Sequence, residues 1–353
     1  MLERKLPDPA TTERAFDLRG ALGLRTPSGW HRSGEDNLAW YENLPPRPQL
    51  HPILCLHNLA SGSREFTPLL RHRIPGTRLI LLDWPAHGRS ESTKPAPSAS
   101  QFSFDRAAEI LDSFLAGHNL VRPTIVASGY GAAVALHYAS TRSQRLRGVA
   151  LINPTSLNPT ALNPTGLLSK SASNLSEPAA RRSLFHNCRQ PMPHSRRQAL
   201  RLAAIRPAFR ESLAEAQRVA GLQSQRLRTL LARLETPALL ALSPLSRSHQ
   251  RSWLRLIDEA LAAAPQHRIA LFKGGFHPAW DEPARFAQTL AAFVQAQLPL
   301  SRHYHAWQLT AADYPARSLN LWRCAHPECR AEQILKEGED PNQSLVHQLK
   351  TQN

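Results

Sequence analysis

This chain is poor in sulfur, in acid and in lysine, and each scarcity narrows what it can be. Its four cysteines are widely spaced except for Cys324 and Cys329. That excludes the disulfide framework of small secreted domains and suits a reducing compartment. No stretch of roughly eighteen consecutive apolar residues occurs, so no membrane-spanning helix is expected. The opening Met1-Leu2-Glu3-Arg4-Lys5-Leu6-Pro7 lacks the apolar centre of a secretory signal, and a cytoplasmic protein is the expectation. Acids number 27 against 43 basic residues, a net charge of +16, with arginine outnumbering lysine about six to one. The arginines are spread along the chain rather than gathered in one block. A basic surface attracts acidic proteins, anionic lipid or nucleic acid. No helix-turn-helix, zinc-finger spacing or aromatic–basic RNA-binding pattern accompanies it, so nucleic acid is not an expected partner, whereas an acidic protein stays open.

What the sequence does have is alternation. Short apolar runs at Pro52–Leu56, Thr77–Asp83, Thr124–Ser128, Arg147–Ile152, Pro237–Leu242 and Arg268–Phe272 read as strands. Two more strands are expected near Arg14–Gly23 and Asn37–Glu42. Between them lie helical patterns such as Phe104–Leu120, with Ile110, Leu111, Phe114 and Leu115 on one face, and Pro283–Gln297. Strands alternating with helices make a mostly parallel sheet covered on both faces. Residues 1–34 are expected to hold a leader and first strand, and residues 35–153 with 236–298 the α/β core. Residues 154–235 read as a basic helical cap. It opens on three tandem repeats, Asn153-Pro154-Thr155-Ser156-Leu157, Asn158-Pro159-Thr160-Ala161-Leu162 and Asn163-Pro164-Thr165-Gly166-Leu167, expected to form turns. Residues 299–353 read as an extension without a core pattern.

The segment Thr124-Ile125-Val126-Ala127-Ser128-Gly129-Tyr130-Gly131-Ala132-Ala133 is a β-branched strand, a tight turn of small residues and an alanine-rich helix. A nucleophile elbow needs small residues two places to either side of the nucleophile. Only one register supplies them, Ala127 and Gly131, and it places Gly129 at the nucleophile position. One place back, Ser128 would be the nucleophile, flanked by Val126 and by the bulky Tyr130.

Four segments together resemble the α/β-hydrolase superfamily. They are Leu54-Cys55-Leu56-His57-Asn58, like the strand with His-Gly before the oxyanion loop; Asp83-Trp84-Pro85-Ala86-His87-Gly88-Arg89-Ser90, like Asp-x-Pro-Gly-His-Gly-x-Ser; the elbow at Gly129; and Phe272-Lys273-Gly274-Gly275-Phe276-His277, like the segment of the catalytic histidine. The resemblance covers about residues 35–298 and implies an α/β-hydrolase fold with a helical cap. It assigns His277 to the base position and the oxyanion-hole amides to Leu59 and Tyr130. Ser246 stands where the acid is expected, and Gly129 where the serine is. Other acids, Asp258, Asp281 and Glu282, do not follow a strand end, while Asn153 does and could orient a histidine. In this family Asp83, His87 and His57 usually brace the loops, and Cys55 reads as core packing.

The expected function is therefore a pseudohydrolase, binding a small apolar or acylated ligand between core and cap, or a protein partner. Two alternatives stay open: an enzyme with His277 as general base, of lyase or cofactor-free type, and an esterase-like hydrolase using Ser128. No cofactor is expected. In the tail, Cys324, His326 and Cys329, with His303 or His305, offer ligands for a metal site; a plain surface tail is the preferred reading.

Overall fold

The computed structural model describes residues 27–43, 50–58, 62–72, 74–92, 103–154, 229–231, 233–243, 266–273, 277–298, 307–311, 319–324 and 332–336. Strands β1 (Gly29–Ser33) and β2 (Asp36–Glu42) form an antiparallel hairpin. They are followed by β3 (His51–Leu56), β4 (Thr77–Leu82), the two-residue β5 (Glu91–Ser92), β6 (Thr124–Ser128), β7 (Gly148–Ile152), β8 (Ala238–Leu242) and β9 (Arg268–Leu271). Their order across the sheet is β1-β2-β4-β3-β6-β7-β8-β9, with β5 beside β2. From β4 to β9 every pairing is parallel. The strand expected near Arg14–Gly23 lies outside the described residues. So do Leu59, Ser246, the Asn-Pro-Thr repeats beyond Pro154, most of the expected cap, His303, His305, His326 and Cys329.

The central strands are apolar on both faces because both faces are covered. In β3, Leu54 and Leu56 face one hydrophobic cluster while Ile53 and Cys55 face the other; β8 divides in the same way. The first cluster is closed by α1 (Phe104–Gly117) and α2 (Tyr130–Thr141). Helix α1 starts at Ser103, whose Oγ accepts the Arg106 N–H at 3.1 Å, and buries Ala107, Ile110, Leu111, Phe114 and Leu115. The second cluster is closed by a 3-10 helix, Ser63–Arg71, and by α3 (Pro278–Asp281) and α4 (Pro283–Gln295). A one-residue register slip in any central strand would exchange the two faces, so this alternation fixes the register of the sheet.

The C-terminal extension carries more structure than its sequence pattern suggests. Strands β10 (Trp307–Ala311), β11 (Leu319–Cys324) and β12 (Glu332–Lys336) form a separate antiparallel sheet, and β10 lies against α4. Among the described residues no helix is long and apolar enough to cross a membrane.

Candidate active site

Parallel strands deliver their carboxyl ends to one edge of the sheet, where ligands of such folds bind. Here β3 runs into His57 and Asn58, β6 into Gly129 and β7 into Asn153. Gly129 has φ +53° and ψ −113°, a conformation costly for any residue with a side chain. The turn is thus the strained elbow expected from the motif, with its N–H bonded to Ile152 O at 3.1 Å. Gly131 explains the small flanking residue, since a Cβ there would meet Leu56 O at 2.6 Å and His57 O at 2.8 Å.

The space above Gly129 is filled from β3. A Cβ built on Gly129 would fall inside the Asn58 carboxamide, 2.6 Å from Nδ2 and closer still to Oδ1 and Cγ. Asn58 Oδ1 accepts the Tyr130 N–H at 2.8 Å. That amide is the first of α2, which has no partner within its own helix, and it is the donor assigned to the oxyanion hole. A single carboxamide therefore takes both the volume of the missing side chain and the donor that would hold an oxyanion. Asn58 occupies the position where the resemblance has the glycine of His-Gly.

His277 precedes α3 and has a partner that sequence reading did not find. Its Nδ1 lies 3.3 Å from Oε1 of Glu65, a carboxylate only 3% exposed on the 3-10 helix after β3. The other oxygen, Oε2, accepts the Asn58 N–H at 3.0 Å. Elbow, asparagine, glutamate and histidine are thus joined in one network. Asn153, the alternative partner, instead accepts the Ser243 N–H at 2.8 Å and ties the end of β7 to that of β8. Asp281 and Glu282 sit in and after α3, where Glu282 accepts from Arg285 at 2.9 Å. Asp258 and Ser246 lie outside the described residues.

Ser128 is the last residue of β6 and fully buried. Its alternation with Ala127 sets it on the face of Val126, and its Oγ has no hydrogen-bond partner among the described residues. Cys55 is also fully buried, and burial, reinforced by the charge of Glu65, pushes its thiol up, so it stays protonated and packs as an apolar side chain. The Tyr130 ring packs edge-on to Trp84 at 6.0 Å, and burial pushes its phenol up.

Beneath the site, Asp83 braces the loops. It accepts the Ser63 N–H at 2.6 Å, the Arg89 N–H at 3.1 Å and the Tyr41 hydroxyl at 3.4 Å. Burial raises its carboxyl, opposed by these backbone bonds. His57 donates from Nδ1 to Asn58 O at 2.7 Å, and its Nε2 accepts the Trp84 N–H at 3.0 Å. That pattern requires a neutral ring, so its 3.9 Å approach to Asp83 is not an ion pair. Burial lowers His57 to about 4, and it lowers His87 to about 4 as well. The two rings hold the backbone in place and stay uncharged at neutral pH. The described residues contain no group of three or more His, Cys, Asp and Glu side chains that could hold a metal ion.

A sequence model of the family described as alpha/beta hydrolase fold matches residues 51–183. A putative aryl esterase from Burkholderia cenocepacia superposes with a TM-score of 0.59 at 21% identity, over 76% of this chain and 98% of that one. A membrane phospholipase A, described as a bacterial virulence factor, gives 0.65 at 17% identity, over 82% and 92%. A haloalkane dehalogenase from Agrobacterium tumefaciens C58 gives 0.60 at 18% identity, over 79% and 99%. At these identities the likeness speaks for the fold, and it agrees with the strand order, the elbow and the four sequence segments. The chain is an α/β-hydrolase-fold protein.

Proposed function

We propose that this chain is a pseudohydrolase: an α/β-hydrolase scaffold that binds a ligand or partner without cleaving it. The observation that supports it is the Asn58 carboxamide standing where residue 129 would project a nucleophile. Acyl transfer needs an attacking group and a free oxyanion donor at one point. Here the first is replaced by hydrogen and the second is already bonded. The ligand would lie over the carboxyl ends of β3, β6 and β7. With the Tyr130 N–H taken, a small, largely apolar molecule fits better than one relying on a carbonyl in the oxyanion hole. An acyl chain would be held by its apolar part. The basic cap and surface add attraction for an acidic protein partner.

The Glu65–His277 contact favours a second reading, in which His277 acts as a general base on a bound carbon or hydroxyl acid. A buried carboxylate at Nδ1 fixes the orientation of the His277 ring, as the acid of a triad does. A putative aryl esterase and an enol-lactonase of similar fold keep a Ser128 hydrolase as a third.

The test is fluorophosphonate labelling of the wild-type protein beside Ser128→Ala, followed by a ligand screen with His277→Ala. An inert wild type whose ligand affinity survives His277→Ala supports the pseudohydrolase. Labelling that vanishes in Ser128→Ala restores a serine hydrolase, and turnover that vanishes in His277→Ala restores the general base.

A further inference from the structure

The elbow keeps a feature that a glycine does not need. Its backbone at φ +53°, ψ −113° still aims a Cβ out of the turn, although no Cβ is present, and that direction points into the Asn58 carboxamide. The carboxamide is itself an acyl group, a carbonyl carbon bearing an oxygen and a nitrogen. Its oxygen sits on the Tyr130 N–H at 2.8 Å, and its carbon overlaps the space where a nucleophilic side chain would begin. Its backbone N–H is anchored to Glu65 Oε2, and Glu65 in turn contacts His277. The side chain is therefore held at both ends of its residue: by its own amide oxygen at the elbow and by its backbone at the acid.

We propose that Asn58 is an internal acyl mimic, a plug that occupies the acyl-binding position of the site and makes residues 58 and 129 a reciprocal pair. The proposal rests on the reading that the wild-type chain has no nucleophile. It predicts that neither residue can be changed alone to open an acyl site. A serine at 129 must first push the Asn58 carboxamide off the Tyr130 N–H. A glycine at 58 with Gly129 in place frees the Tyr130 N–H but supplies no nucleophile. With both changes the introduced hydroxyl attacks the phosphorus of a fluorophosphonate. Its oxygen forms the new P–O bond, fluoride leaves, His277 takes the hydroxyl proton, and the phosphoryl oxygen takes the Tyr130 N–H.

The experiment compares wild type, Gly129→Ser, Asn58→Gly and the double variant, with folding checked by circular dichroism. Each is treated with a fluorophosphonate probe and the modified residue is located by mass spectrometry. The expected result is an inert wild type, inert or slow single variants, and labelling at position 129 in the double variant at least tenfold faster than in Gly129→Ser. Gly129→Ser labelling as fast as the double variant would overturn the plug, and so would a folded but inert double variant. Labelling of wild type at another serine would instead overturn the pseudohydrolase reading. If the double variant does not fold, hydrogen exchange in Asn58→Gly decides. Loss of Tyr130 amide protection by at least tenfold supports the plug, and unchanged protection refutes it.

Discussion

The contact between Asn58 and Gly129 can be weighed by a stability cycle that needs no ligand. Gly129→Ala puts a methyl group where the carboxamide now lies and forces an L residue to φ +53°. The backbone strain costs about 1–3 kcal/mol. The methyl also pushes Asn58 off the Tyr130 N–H, and a buried donor left unsatisfied costs about 1–3 kcal/mol more. Gly129→Ala is therefore expected to lose about 2–6 kcal/mol, a large share of the roughly 5–15 kcal/mol of a whole domain. Asn58→Gly loses the same hydrogen bond, again about 1–3 kcal/mol, with up to about 1 kcal/mol for added backbone freedom. In the double variant the bond is lost only once, and the methyl meets no carboxamide. The two changes should therefore fall short of additivity by about 1–3 kcal/mol, the cost counted twice. Urea unfolding of the four proteins measures this, compared at constant slope against denaturant. Additivity within about 0.5 kcal/mol would show that Asn58 and Gly129 do not compete for one space, and the argument for the plug would fail with it.

Two further predictions concern buried titratable groups of the fold. His51, His57 and His87 are buried and held neutral, at about 3, about 4 and about 4, against about 6.5 in an unfolded chain. Because the folded values are lowered, the unfolded state takes up protons first. Stability is intact above about pH 6.5 and falls toward pH 4, by about 2 kcal/mol per histidine at pH 5, with Asp83 working the other way because burial raises its carboxyl. Urea unfolding between pH 7 and 5 checks it, and a flat profile would show these rings to be charged or exposed. Asp83→Ala removes the acceptor of two backbone amides and the Tyr41 hydroxyl, and it should cost about 3–5 kcal/mol, while Asp83→Asn, which keeps an oxygen for Ser63, should cost less. Thermal melts compare them; a loss under about 1 kcal/mol in Asp83→Ala would make the brace dispensable.

Much of the fold is legible in the sequence because buried parallel strands leave compact apolar runs. The segments at 52–56, 77–83, 124–128, 147–152, 237–242 and 268–272 each correspond to a strand whose ends differ by a residue or so. The hairpin strand β1 escapes notice because Gly29-Trp30-His31-Arg32-Ser33 contains one large apolar residue, and that residue is 47% exposed. The C-terminal sheet escapes because its strands lie in polar, interrupted sequence. Among the candidate residues, His277 and the elbow are marked by local motifs, whereas the carboxylate beside His277 is not, since Glu65 lies 212 positions away in sequence. A signal for it did exist. Glu65 shares a helical face with Phe66, Leu69 and Leu70, and a carboxylate among buried apolar neighbours requires a partner.

Asn58 is the harder case, and it shows why the loss of a motif can mislead. In the sequence, serine to glycine at the elbow and glycine to asparagine after His57 read as two separate departures from a pattern, 71 positions apart. In space they are one exchange, in which the side chain absent from β6 is replaced by one supplied from β3. The exchange keeps the volume above the elbow filled and gives the first amide of α2 an acceptor from the protein itself. It discards only what attack requires, a nucleophilic atom on a strained turn. A bare loss of the serine would have left a gap above the elbow, costing about 1–3 kcal/mol. The Asn58 carboxamide fills that gap, as the pseudohydrolase proposed above requires. Under that reading, restoring serine at 129 alone should weaken the fold without giving turnover.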